Sequence, residues 1–158
     1  MEITDKELHR IAVTAIIYNN EGQFLVTKRS PHKKVHPNLW TVPGGGMTVD
    51  DYISIPITHG TNGRVGSIET TLRREVKEEV GVEVEKPQYL LDVTFIRPDG
   101  IPVLVLSYHA KYKSGEVVLD EDAVEYAWVD VKELKNYEFI KGIDEEIEMV
   151  HKILTESK

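Results

Sequence analysis

Apolar, mostly β-branched residues run from Ile11 to Tyr18, stop at Asn19-Asn20-Glu21-Gly22, and resume from Phe24 to Lys28. That pattern predicts two strands joined by a turn. Leu39 to Val42 reads as a short strand running into a glycine loop, Pro43 to Gly46. Residues 47–66 carry repeated glycine and proline breaks, so they read as a long loop with one short strand at Tyr52 to Ile57. Long loops inside compact domains are often functional. Ile68, Leu72, Val76 and Val80 then recur every four residues, the stripe of an amphipathic helix over 67–81. Ser67 suits its N-cap, Glu69 suits the positive end of its dipole, and Gly81 suits its C-terminal stop.

Gln88 to Tyr112 predicts a long hairpin turning at Arg97-Pro98-Asp99-Gly100. A short strand follows at Glu125 to Asp130, then a short helix at Val131 to Asn136. A terminal helix is predicted from Ile143 to Leu154, with Ile143, Ile147, Val150 and Leu154 facing inward. Strands on both sides of a central helix, with a closing helix, define an α/β fold: a mixed β-sheet sandwiched by helices. No repeat or linker divides the 158 residues, so a single domain is expected.

Composition narrows the partners. The formal charge is −8, which argues against a nucleic-acid or anionic-membrane partner. A small phosphorylated substrate stays open, because a bound cation can make a local site attractive to phosphate. There is no cysteine, so disulfides, thiolate metal sites and a cysteine nucleophile are excluded. The polar N-terminus does not read as a signal peptide, and no apolar run approaches membrane-spanning length. A cytoplasmic location is the expectation.

Candidate chemistry concentrates at Arg73 to Val82, where Glu75, Glu78 and Glu79 fall within five positions of one predicted helix. Like charges at helical i, i+3 and i+4 spacing cost a few tenths of a kcal/mol per pair. A divalent cation would offset that cost. The plainer alternative is a solvated face laced by Arg73, Arg74 and Lys77. Three glycines, Gly44 to Gly46, allow backbone to approach an anion or a metal closely, or simply make a tight turn. The loop after the second strand carries Arg29, Lys33 and Lys34, which suit a phosphate as well as solvent. His32 and His36 lack metal-ligand spacing. Trp40 and Trp128 read as core, and Phe95, Tyr108 and Tyr112 read as sheet packing or as the lining of a base pocket.

The segment Arg74 to Val82, "REVKEEVGV", resembles the second half of the Nudix box at every specified position, and the "PGGG" ahead of it and "EYAWVD" downstream are similar to the family too. The first half departs from the pattern. Counting back from Arg74 puts Gly66 where the box has a glutamate; counting forward from Gly45 puts Asp51 there. The difference amounts to an insertion of about 15 residues between the glycine loop and the helix. Asp51 or Glu69 would replace the missing carboxylate, or nothing does; in the family that residue mostly braces the loop–helix–loop.

The resemblance implies a Nudix-like α/β/α sandwich and a Mg²⁺-dependent pyrophosphohydrolase, with Mn²⁺ as a substitute cation. It implies that Glu78 and Glu79 are the main metal ligands, that Glu75 is a third ligand or orients a water, and that a Gly44 or Gly45 carbonyl faces the metal. Arg74 and Gly81 would be structural. A further carboxylate is expected from the loop before the last strand, Asp122 first and Glu121 second. The leading substrate is a nucleoside triphosphate. ADP-ribose, a nucleotide sugar or an isoprenoid diphosphate are alternatives on the same fold. A catalytically weak nucleotide-binding regulatory module is the alternative of another class. The insertion would act as a lid, or as a strand pairing with a second copy in a homodimer.

Overall fold

A computed structural model describes residue 3 and residues 5–157. The strands are β1 (Arg10–Tyr18), β2 (Phe24–Arg29), β3 (Trp40–Thr41), β4 (Gly44–Gly46), β5 (Glu83–Val84), β6 (Gln88–Ile96), β7 (Pro102–Ser114) and β8 (Ala123–Val129). The helices are α1 (Ser67–Val80) and α2 (Ile143–Glu156), with 3₁₀ turns at Val49–Asp51 and Val131–Asn136. All eight strands join one sheet, ordered β3-β2-β1-β7-β5, with β4 on β1, β6 on β7 and β8 on β2. Only β1 and β7 run parallel, paired from Arg10↔Val103 to Tyr18↔Lys111. The sheet is therefore mixed, as expected.

Alternation along β1 sends successive side chains to opposite faces, and both faces are buried. Val13, Ala15 and Ile17 meet Leu72, Val76 and Val80 of α1, while Ile16 meets Ile147 and Val150 of α2. Full burial of such side chains contributes about 1.5–3 kcal/mol each. This places α1 and α2 on opposite sides, giving the α/β/α sandwich. Trp40 is buried in the second cluster, and Trp128 packs partly buried against the first.

Three local expectations change. The glycines are not a free loop but strand β4, paired antiparallel with β1 through Ala12↔Gly46, Val13↔Gly45 and Thr14↔Gly44. Tyr52 to Ile57 is not a strand. A 3₁₀ turn precedes it, Ile53 and Ile57 stay exposed, and the only pairing nearby is the isolated bridge His59↔Gly63. Pro56 has no N–H to donate, and among the described residues no strand pairs with this segment. Ser67 is the first residue of α1, not its cap; Gly66 holds that position in the left-handed region at φ 93°. Gly81 does close α1, at φ 74°, with its N–H donating to the Lys77 carbonyl.

Candidate active site

The site is built on α1 lying against β4. Positions 75 and 79 are one helical turn apart, so their side chains share a face. A Cβ placed on Gly45 would collide with the Glu75 carboxylate, and one on Gly44 would collide with β1. The helix can therefore sit on β4 only because that strand has no side chains. Hydrogen bonds from Ala15 N to Pro43 O (2.8 Å) and from Met47 N to Ile11 O (2.9 Å) flank Gly45. By antiparallel alternation the Gly45 peptide groups face β1, whereas those of Gly44 and Gly46 face outward. The Gly44 N–H donates to Glu79 Oε2 at 3.3 Å, and Gly46 O accepts from Arg74 Nη2 at 3.0 Å.

Asp51 and Arg74 brace this arrangement. The Asp51 side chain has no solvent exposure. It accepts two bonds from the Arg74 guanidinium, one from the Thr48 N–H at 3.0 Å and one from Thr71 Oγ1 at 2.9 Å. Arg74 also donates to Glu75 Oε1 at 2.8 Å and Glu78 Oε2 at 3.0 Å. Bidentate pairing to Arg74, helped by the Thr48 and Thr71 donors, lowers the Asp51 pKa to about 2 despite burial. Asp51 thus stands where the missing box glutamate would brace the helix. Glu69, the other candidate, pairs instead with Arg73 at 2.8 Å.

A cleft of about 300 Å³ is lined by Glu75, Glu79, Asp120 and Asp122, by the backbone of Gly44 and Gly45, and by Arg10, Thr27, Arg29, Lys33, Thr41 and Ala123. Burial first, and then the charges of Glu75, Asp120 and Asp122, together push the Glu79 pKa up to about 8. The Gly44 N–H opposes this, and no basic side chain pairs with Glu79 among the described residues. Glu75 and Asp120 are also raised, in each case chiefly by burial. A larger hollow of about 600 Å³, around Tyr112, Tyr126 and Trp128, holds no member of this carboxylate group. The smaller cleft is therefore the chemical candidate.

Several sequence candidates sit apart from one another. Glu78 is 58% exposed, paired with Arg74, and does not line the cleft. Lys33 lines it and pairs with Asp122 at 2.9 Å. Arg29 lines it while donating twice to the Val35 carbonyl, at 3.1 and 2.9 Å. Lys34 and Glu121 are exposed and do not line it. Asp120 and Arg10 were missed. Asp120 is brought in by its backbone N–H donating to the Glu79 carbonyl at 3.3 Å, a contact with no signature in the sequence.

Among the described residues, no three acidic or histidine side chains enclose a cation by themselves. The donor set still fits a hard divalent cation. Mg²⁺ takes one or two carboxylates, keeps several waters and completes its shell with substrate phosphate. Glu75, Glu79 and the outward Gly44 carbonyl offer hard oxygens. Burial and the neighbouring carboxylates disfavour ionisation of Glu79, and a bound cation would favour its ionised form.

A sheet clothed by helices on both faces, with paired carboxylates against a glycine strand, defines a Nudix-type site. A family model described as the NUDIX domain matches residues 8–149, and the chain belongs to that family. It is a Nudix-type pyrophosphohydrolase. The chain is 30% identical over 132 residues to the nucleoside triphosphatase NudI of Klebsiella pneumoniae (strain 342), covering 77% of this chain and 83% of that one. It is 30% identical over 126 residues to the NAD-capped RNA hydrolase NudC of Stutzerimonas stutzeri, covering 79% of this chain and 38% of that longer protein. Among solved structures, the MutT Nudix hydrolase from Burkholderia pseudomallei superposes with a TM-score of 0.69 at 22% identity, over 91% of this chain and 99% of that one. No helix among the described residues is long and apolar enough to cross a membrane.

Proposed function

We propose that the chain acts as a single Nudix-like domain hydrolysing a nucleoside triphosphate, using Mg²⁺ with Mn²⁺ as substitute. The observation that carries this reading is the meeting of Glu75, Glu79, Asp120 and Asp122 with Arg29 and Lys33 in one cleft. The carboxylates there would hold a divalent cation, and the basic side chains suit phosphate oxygens. The similarity to a nucleoside triphosphatase along most of both chains supports the substrate class.

Glu75, Glu79 and the Gly44 carbonyl would hold the cation, and Asp120 and Asp122 line the same cleft. When bound, the cation neutralises phosphate charge and makes a water acidic enough to attack at neutral pH. The remaining work falls to this chain's residues. Arg74 fixes the Glu75 carboxylate, so its free oxygen is oriented rather than rotating. A cleft carboxylate accepts the proton released as the water oxygen bonds to phosphorus. The bridging P–O bond breaks, and its electrons leave with the departing phosphate oxygen. Lys33 and Arg29 stabilise charge on the phosphate oxygens.

The test is incubation of purified protein and Mg²⁺ with nucleoside triphosphates, ADP-ribose, NAD, nucleotide sugars and isoprenoid diphosphates, with products separated by chromatography. Triphosphate cleavage that EDTA abolishes is expected. Exclusive cleavage of another class would overturn the substrate assignment. Tight ligand binding with no turnover on any substrate would favour the binding module.

A further inference from the structure

We propose that Arg10 is a substrate-binding residue that grips an anionic phosphate oxygen of the substrate, on the side of the glycine strand away from Glu75. The proposal rests on the hydrolase reading above. It begins with the alternation of β4. A Cβ on Gly45 would strike Glu75, whereas one on Gly46 would strike the Arg10 guanidinium. Adjacent residues of a strand point to opposite faces. The carboxylate and the guanidinium therefore flank one thin, side-chain-free strand, and both line the same cleft. Ordinary residues at 45 and 46 would separate them with a wall of side chains.

The other basic side chains of the cleft already have protein partners. Lys33 is held by Asp122, and Arg29 by the Val35 carbonyl. The Arg10 side chain makes no hydrogen bond or ion pair to any described residue, though it is an exposed cation in a cleft with four carboxylates. A guanidinium presents a rigid fork of donors that suits two phosphate oxygens at once. A polyphosphate whose reacting phosphate lies at Glu75 and Glu79 would present its next phosphate across the glycine strand to Arg10.

The test measures steady-state kinetics for ATP and CTP, and calorimetric binding of their non-hydrolysable imido analogues, on wild type, Arg10→Gln, Arg10→Lys and Gly46→Ala. Arg10→Gln should raise KM and weaken analogue binding about tenfold for both nucleotides, with kcat within about threefold. Arg10→Lys should recover part of the loss, since it keeps the charge without the fork. Gly46→Ala should reproduce the Arg10→Gln defect, because the atoms nearest its new methyl group belong to the Arg10 guanidinium. Unchanged binding in Arg10→Gln would overturn the proposal. So would a penalty confined to one base, which would make Arg10 a base reader. An inactive wild type would instead strike at the hydrolase reading itself, so the two failures are distinguishable.

Discussion

Replacing Asp51 by asparagine keeps the shape of the brace and removes its charge. In the wild type the carboxyl titrates at about 2 rather than at its ordinary 3.8, held down first by Arg74. The shift of roughly 1.8 pH units corresponds to about 2 kcal/mol of folding stability at pH 7. The folded-state pKa is depressed, so this stability is fully present above pH 4 and is lost as pH falls through about 2. At pH 3 roughly half should remain. Urea unfolding of wild type and Asp51→Asn, followed at pH 7 and pH 3, checks this. The variant should be less stable by about 2 kcal/mol at neutral pH, with the gap shrinking toward about 1 kcal/mol at pH 3. A gap that is absent at pH 7, or that stays constant with pH, would refute the claim that an ionised Asp51 braces Arg74. Asp51→Asn should also lower kcat, because Arg74 would no longer be fixed against Glu75.

Four further outcomes follow from the same geometry. Glu79→Gln should lower kcat at least about 100-fold while leaving the fold intact, and near-wild-type turnover would remove Glu79 from the site. Because burial, with the neighbouring carboxylates, raises the Glu79 pKa to about 8, the metal-free protein should lose stability as pH rises from 5 to 8; thermal melts should show that slope shrink in Glu79→Gln and with added Mg²⁺. Asp122→Asn should cost a smaller factor, about tenfold in kcat, since its carboxylate is half exposed and already paired with Lys33. Replacing residues 53–65 by a short glycine-serine link should shift Tm by no more than about 3 °C, because Ile53, Ile57 and Val65 are exposed; a collapse of the fold would show that the insertion supports α1.

How far the sequence could be read depended on where each signal lay. The four-residue recurrence of Leu72, Val76 and Val80 locates α1 and its buried face, and the helical step then puts Glu75 and Glu79 together. Asp51 is reached by counting from Gly45, although only the fold separates it from Glu69. Contacts between distant segments were not legible. Glycine has no strand propensity, so β4 is visible only once β1 offers it an edge. The place of Asp120 depends on one backbone bond to the Glu79 carbonyl. Arg10 is placed by the Ala12↔Gly46 register, which joins residues far apart in the chain. Glu78 belongs to the motif but is largely exposed and paired with Arg74, a contact between side chains that the spacing alone does not reveal. Tyr52 to Ile57 misled because its isoleucines suggest a strand, while strand formation also needs a partner edge.

The most direct test of the central claim is Mn²⁺ binding, followed by loss of the free-ion electron paramagnetic resonance signal. Wild type would be compared with the Glu75→Gln, Glu79→Gln double variant. Saturable binding in the wild type, weakened at least about tenfold in the double variant, is the predicted result. Equal affinity in the two proteins would contradict the assignment of the cation to the α1 carboxylates.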